Sequence, residues 1–89
     1  MNKYEQKPEH AMDLHGHTTR EARIVLDLLL KERKYRHVRI ITGKGDLRNG
    51  PVLRTFVQSY LKQRGVRFHM SKISDGGDGA LEIFLEQTL

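Results

Sequence analysis

A carboxylate and an imidazole stand two residues apart in Asp13-Leu14-His15, and Gly16 follows them directly. Residues two apart on a β-strand share a face. The Asp13 carboxylate can therefore orient the His15 imidazole and fix its tautomer, which prepares the ring for general acid–base chemistry. Taken alone, such a pair is more often a structural feature of a polar strand end. The chemistry depends on what else lies beside it.

Two glycine-rich segments could supply the rest of a site. They are Thr42-Gly43-Lys44-Gly45 and Gly76-Gly77-Asp78-Gly79. Glycine lets backbone amides approach a phosphate closely, while Lys44 adds a charge and Thr42 a hydroxyl. The first segment lacks the spacing of a Walker A loop, and either segment alone is more often a plain turn. Arg48 and Arg54 lie near enough in sequence to assist at a phosphate.

The hydrophobic pattern predicts the elements that position these residues, in the order β-α-β-α-β-β. Apolar residues at helical spacing predict helices over about 19–34 and 51–63, the first of them beginning with a capping box of Thr18 and Glu21. Strands are predicted at 10–15, 38–42, 66–71 and 81–86. Because each helix has one apolar stripe, we expect an α/β fold of two layers. In this α+β sandwich both helices cover one face of a mixed four-stranded sheet.

The predicted helices are crossovers, which make the first three strands parallel. Their carboxyl ends, at Asp13–His15, at Thr42–Gly45 and just before Gly76–Gly79, then meet at one edge of the sheet, where ligands of open α/β sheets bind. This convergence favours a functional site over three unrelated turns.

Positive charge is concentrated in the middle of the chain. The net charge is +5, yet residues 31–72 hold twelve basic and only two acidic residues. Such a concentration favours nucleic acid as a partner over a merely solvated surface. The uncovered face of the sheet is expected to carry Arg39, Arg67 and His69 beside Phe84, where it could support nucleic acid.

Three other groups of residues give weaker indications of function. His10 and His37 are expected at the surface. Asp13, His15 and His17 could bind a divalent metal ion, but the chain offers no obvious fourth ligand, so no metal residues are assigned. The open sheet face could also join two copies of the chain, although a monomer is expected.

Composition limits the class of protein. A chain of 89 residues makes one domain, with residues 1–9 expected as a flexible tail and residues 10–89 as the folded unit. It has no cysteine, which excludes a disulfide framework and a thiolate metal site. A polar beginning and the lack of a long apolar run predict a cytoplasmic protein without a membrane partner.

Taken together, the motifs resemble the Smr (small MutS-related) domain family over about residues 11–85. The resemblance lies in residues 12–16, in Thr18 and Glu21-Ala22, in Ile40 to Gly45, in Val52-Leu53-Arg54 and in residues 76–80. It implies a stand-alone Smr domain with a βαβαββ fold and the strand order 1-2-4-3, similar to the C-terminal domain of a translation initiation factor. Many members have His at the position of Thr42.

The resemblance also implies an activity. Smr domains act as nicking or RNA-cleaving endonucleases on structured DNA or on messenger RNA at stalled ribosomes, so DNA repair and ribosome rescue are candidate contexts and the ribosome a candidate partner. The catalytic motif of the family maps to Asp13, His15 and Gly16. The candidate phosphate-binding residues are Gly16, Thr42, Gly43, Lys44, Gly45, Arg48, Arg54, Gly76, Gly77 and Gly79.

The resulting hypothesis is cleavage of a phosphodiester at the Asp13/His15 edge. RNA would supply its own 2′-OH as nucleophile and need no metal, whereas DNA would need a water nucleophile and a divalent cation such as Mg²⁺ or Mn²⁺. The alternative is a non-catalytic module that holds nucleic acid by phosphate contacts. A protein-interaction domain that dimerises through the open sheet face is the third possibility.

Overall fold

The computed structural model describes residues 7–43, 52–72 and 79–85. Within them the order of elements is the predicted one. The elements are β1 (His10–Asp13), α1 (Thr19–Glu32), β2 (His37–Ile41), α2 (Val52–Gln63), β3 (Arg67–Met70) and β4 (Ala80–Phe84). The predicted fold class is confirmed.

The sheet has the strand order β1-β2-β4-β3. β1 pairs with β2 in parallel, and β4 lies between β2 and β3, antiparallel to both. The strand order implied by the family resemblance is therefore confirmed. β1, β2 and β3 run in the same direction, so their carboxyl ends lie at one edge of the sheet, hereafter the carboxyl edge.

Helix α1 begins where the sequence predicts. Thr18 accepts a hydrogen bond from the backbone N–H of Glu21 (3.1 Å), and the Glu21 carboxylate accepts one from the backbone N–H of Thr18 (2.8 Å). This capping box satisfies two amides that a helix start leaves unpaired. The helix ends at Glu32, two residues before the prediction, because Arg33 adopts a left-handed conformation with a φ of 48°.

The core lies between the helices and one face of the sheet. Ala22, Leu26 and Leu29 of α1 are buried there, as are Val57, Tyr60 and Leu61 of α2. The sheet contributes the fully buried side chains of Val38, Ile40, Leu81 and Ile83. One face of each element is thus used for packing, which leaves the other face of the sheet for polar residues. In the described part of the chain, neither helix is long and apolar enough to cross a membrane.

The folded unit includes one residue that we placed in the tail. The backbone N–H of Glu9 donates to the carbonyl of His37 (2.8 Å), and the Glu9 carboxylate accepts the backbone N–H of Arg36. Pairing between the chain's beginning and β2 therefore starts at Glu9. Residues 1–6 of the predicted tail lie outside the described residues.

Candidate functional site

Asp13 and His15 form a hydrogen-bonded pair on an exposed surface. The His15 Nδ1 lies 2.8 Å from the Asp13 Oδ1, which also accepts the backbone N–H of His15 (3.0 Å). The side chain of His15 is 70% exposed and that of Asp13 is 54% exposed, so a substrate can reach both. The second hydrogen bond turns the chain, and β1 consequently ends at Asp13 and not at His15 as predicted.

The hydrogen bonds from the His15 ring and from its backbone N–H lower the pKa of the Asp13 carboxyl. Asp13 is therefore ionised at neutral pH, and an ionised carboxylate can only accept hydrogen bonds. Nδ1 must then donate, which assigns the proton of the neutral ring to Nδ1. The lone pair of Nε2 is left for a substrate proton, as a general base requires.

The second predicted loop lies directly beside this pair. Gly43 has a φ of 77°, and a Cβ built on it would lie 3.4 Å from the Cβ of His15. The backbone N–H groups of Thr42 and Gly43 donate to the carbonyl of Gly79 (2.9 and 3.0 Å). The structure thus brings the ends of all three segments together at the carboxyl edge.

Thr42 joins these segments and does not face outward. Its side chain is buried, and its hydroxyl oxygen lies 3.0 Å from the carbonyl of Gly43 and 3.4 Å from that of Gly79. Because the hydroxyl has one proton, it is engaged with the loop backbone. We expected this hydroxyl to face a phosphate, and the structure gives it an internal partner instead.

Gly16 lies in the turn between β1 and the helix start. Its φ is 81° and a Cβ there would meet nothing within 4 Å. The backbone N–H of His17 closes the turn on the carbonyl of Leu14 (2.9 Å). A left-handed φ favours glycine, so Gly16 sets the direction in which the chain leaves the Asp13–His15 pair.

Other candidate phosphate-binding residues stay predictions. Arg54 lies half-buried in the first turn of α2. The residues outside the described part of the chain are Lys44, Gly45, Arg48, Gly76 and Gly77.

The open face of the sheet carries the three predicted side chains. The guanidinium of Arg67 lies 5.0 Å from the centre of the Phe84 ring, and the His69 ring is 5.2 Å from it. Arg39 is on the same face, where its Nε donates to the Oε2 of Glu82 (2.7 Å). Positive and aromatic groups are therefore adjacent here, as a nucleic-acid surface requires.

A buried carboxylate at the centre of this face was missed by sequence reasoning. Glu82 is only 5% exposed and accepts hydrogen bonds from Arg39, from the hydroxyl of Ser71 and from the His37 ring (2.6 Å from Nε2). Burial raises its pKa, but these hydrogen bonds outweigh burial and hold the pKa below its usual value. Alternation placed Glu82 on this face, and only the register of β4 between β2 and β3 shows that it is enclosed.

The prediction that His37 lies at the surface is wrong. His37 is 8% exposed because its ring stacks on Phe84, with 4.7 Å between the ring centres, and bonds to Glu82. His10, assigned to the surface as well, is half-buried and stacks on Tyr35 at 4.5 Å. Neighbours that are remote in sequence account for both, Phe84 of β4 for His37 and Tyr35 of the segment before β2 for His10.

No group of three or more His, Cys, Asp or Glu residues that could hold a metal ion occurs among residues 7–43, 52–72 and 79–85. Asp13 could still contribute one oxygen to a cation held mainly by water and substrate phosphate, as Mg²⁺ often is. The described side chains therefore do not form a dedicated metal centre.

Known proteins share this sequence pattern and fold. The family model of the Smr domain matches residues 12–86. An uncharacterized protein of Treponema pallidum (strain Nichols) is 35% identical over 89 residues, an alignment that covers 92% of this chain. The chain spans 44% of the length of that relative.

Two solved structures extend the likeness to three dimensions. The Smr domain of Thermus thermophilus MutS2 is 26% identical with a TM-score of 0.75, over 88% of this chain and 99% of that one. YdaL of Escherichia coli, described as a stand-alone small MutS-related protein, is 25% identical with a TM-score of 0.68, over 86% and 64%. Smr domains are associated with nucleic-acid binding and nicking endonuclease activity. The extent of the sequence match and the shared strand order show that this chain belongs to the Smr domain family.

Proposed function

We propose that this protein is an endonuclease that cleaves a phosphodiester at the carboxyl edge, with His15 as general base or acid and Asp13 as its orienting partner. The observation that carries the proposal is the 2.8 Å hydrogen bond between Asp13 and the His15 Nδ1 on an exposed surface. It leaves Nε2 free to exchange a proton with a substrate. Gly43, packed against His15, places a loop backbone at the same point.

On RNA, the substrate itself supplies the nucleophile. The Nε2 of His15 takes the proton of the 2′-OH, the 2′ oxygen forms a bond to phosphorus, and the bond to the 5′ oxygen breaks. The 5′ oxygen leaves with a proton from solvent or from a protonated group of the site. Because the amides of Thr42 and Gly43 donate to Gly79, Lys44 and the amides that follow Gly43 would hold the phosphate and stabilise its developing negative charge.

On DNA the nucleophile must be water. A divalent cation would then help to generate hydroxide and to neutralise the phosphate. The described residues form no three-ligand cluster, so such a cation would be held mainly by water and substrate phosphate, with Asp13 as one protein ligand.

A non-catalytic nucleic-acid-binding module is the second candidate. The arrangement of Arg67 and His69 around the Phe84 ring favours it, because this surface would hold nucleic acid without any reaction at His15. The two candidates differ in one respect. Only the nuclease requires the Asp13–His15 pair for a product to form.

The test uses the wild type and the Asp13→Ala and His15→Ala variants. Each is incubated with single-stranded RNA, duplex DNA and branched DNA, with and without EDTA. We expect the wild type to cut at least one substrate and both variants to bind it without cutting. Binding by all three proteins with no product from any substrate would overturn the nuclease and favour the binding module.

A second measurement identifies the nucleophile if RNA is cut. The 2′-OH at the cut site is replaced by hydrogen in an otherwise identical strand. Cleavage should stop, because the proposed route has no other attacking group. Continued cleavage at the same bond would exclude the 2′-OH and point to water.

A further inference from the structure

A basic cleft lies at the opposite edge of the sheet, where β2 and β3 begin and β4 ends. Its volume is about 480 Å³. Four arginines line it, together with His37, Phe84 and backbone of the adjoining turns: Arg33, Arg36, Arg64 and Arg67. Among residues 7–43, 52–72 and 79–85, no carboxylate lines the cleft.

Three acidic side chains of the described residues near this cleft, those of Glu9, Asp27 and Glu82, already have hydrogen-bond partners. Glu9 accepts backbone N–H groups of Arg36 and His37, and Glu82 binds the His37 ring. The Asp27 carboxylate is 3.8 Å from Arg64 but also accepts the hydroxyl of Tyr60. Clustered guanidiniums repel one another, so an anion that enters the cleft relieves this repulsion and gains charge-assisted hydrogen bonds.

The walls of the cleft are fixed by the fold. The guanidinium of Arg64 lies 3.7 Å from the centre of the Tyr60 ring, and that of Arg67 packs over Phe84. The backbone N–H of Leu85 donates to the carbonyl of Arg36 (2.8 Å), which ties the end of β4 to the segment before β2. Held in this way, the cleft needs little rearrangement to accept an anion.

We infer that this cleft binds backbone phosphates of the same nucleic acid that reaches the Asp13–His15 pair, an inference that rests on the proposed function. The two edges are joined by the open face, where Arg39 and His69 lie between them. From His37 to Ile41, β2 advances four residues, or about 13 Å. At about 3.4 Å per phosphate along one strand of a duplex, this length corresponds to roughly four phosphates.

The inference assigns separate tasks to the two edges. Phosphate contacts in the cleft would set affinity and the direction of the strand, and the carboxyl edge would carry out the reaction. Polyanion binding by Lys and Arg releases counterions, so each lost phosphate contact lowers the dependence of affinity on salt. This dependence can be measured without any cleavage.

The experiment measures fluorescence anisotropy of a labelled single-stranded RNA and of a labelled DNA duplex over a range of salt concentrations. All proteins carry His15→Ala, so that the nucleic acid stays intact. Adding Arg36→Ala and Arg67→Ala should reduce the slope of log affinity against log salt by about 1.5, which is two contacts at 0.7–0.9 each. Arg36→Lys with Arg67→Lys should retain the slope, because the charges are kept.

The matched control is Arg23→Ala with Lys31→Ala, which removes the same charge from exposed positions on α1. It should leave the slope nearly unchanged, and thermal unfolding by circular dichroism verifies that every variant is folded. An unchanged slope in the cleft variant, or an equal decrease of the slope in the control, would overturn phosphate binding in the cleft. Neither result would affect the proposal that His15 takes part in cleavage. A parent that binds neither nucleic acid would overturn the proposed function and, with it, this inference.

Discussion

Gly43 and His15 lie so close that a Cβ on Gly43 would be 3.4 Å from the Cβ of His15. The two residues are far apart in sequence, one after β2 and the other after β1. Parallel pairing of these strands sets Asp13 opposite Ile41 and therefore places both loops at the carboxyl edge. A side chain at Gly43 would therefore be in van der Waals contact with His15, whose imidazole the proposed reaction uses.

Replacing Gly43 should consequently harm the reaction more than the fold. Gly43→Ala places a side chain at a φ of 77° and against His15, and we expect it to reduce the cleavage rate by tenfold or more, on the order of what misplacing a catalytic group costs. The strain of the left-handed backbone should lower the free energy of unfolding by about 1 kcal/mol.

Gly65→Ala is the matched control. Gly65 has a φ of 67°, but a Cβ there meets nothing within 4 Å. Gly65→Ala should show the same loss of stability by urea unfolding and, with the substrate fully bound, an unchanged single-turnover cleavage rate. Equal cleavage rates in the two variants would contradict the role given to Gly43.

The hydrogen bonds that Glu82 accepts from Arg39, Ser71 and His37 should make the stability of the fold depend on pH in the acid range. The pKa of Glu82 is lower in the folded protein than in the unfolded chain, so its contribution is complete above the usual pKa of 4.5 and is lost as the pH falls through the folded value. Glu82→Gln removes the negative charge that pairs with Arg39 and that accepts a hydrogen bond from the His37 ring. It should reduce the free energy of unfolding at neutral pH by about 3 kcal/mol.

Urea unfolding between about pH 3 and pH 7 checks this prediction. Glu82→Gln should also show a weaker loss of stability in acid than the wild type does. Glu32→Gln, on an exposed part of α1, should behave like the wild type. A Glu82→Gln variant as stable as the wild type would show that the carboxylate is dispensable.

Tyr60 should make stability depend on pH in the alkaline range, where its contribution is lost as the pH rises. Burial and the 2.5 Å hydrogen bond to Asp27 raise the pKa of its hydroxyl from 10.0 to about 12. A raised pKa gives stability that is complete below the usual value and is lost as the pH rises from about 10 to 12. Tyr60→Phe should remove this part of the alkaline loss, about 2 kcal/mol. Urea unfolding measures the stability of both proteins between about pH 9 and pH 12. An identical loss of stability in the wild type and in Tyr60→Phe would contradict the raised pKa of Tyr60.

Local signals in the sequence were sufficient for the elements of this fold. The capping box of Thr18 and Glu21 marked the start of α1 correctly, because it depends only on neighbouring residues. The end of β1 was placed too late, since the Asp13 side chain competes for the backbone N–H of His15. Such competition between a side chain and a strand is not visible in the hydrophobic pattern.

The side-chain contacts on the open face of the sheet could not be predicted from the hydrophobic pattern. Alternation put Glu82 and Arg39 on this face, but their pairing depends on β4 lying beside β2, and that order came from the family resemblance. The burial of His37 depends on Phe84, a residue of the same late strand. Contacts of long sequence separation therefore decided the features of this face that the periodicity did not predict.

The most direct test of the central claim compares two neighbouring histidines. Single-turnover cleavage of a substrate that the wild type cuts is measured for His15→Ala and for His17→Ala. Removing a general base slows a reaction by about 10²- to 10⁴-fold, so His15→Ala should lose that much while His17→Ala stays near the wild-type rate. Equal rates for the wild type and His15→Ala would contradict the account and leave the Asp13–His15 pair a structural feature of the turn after β1.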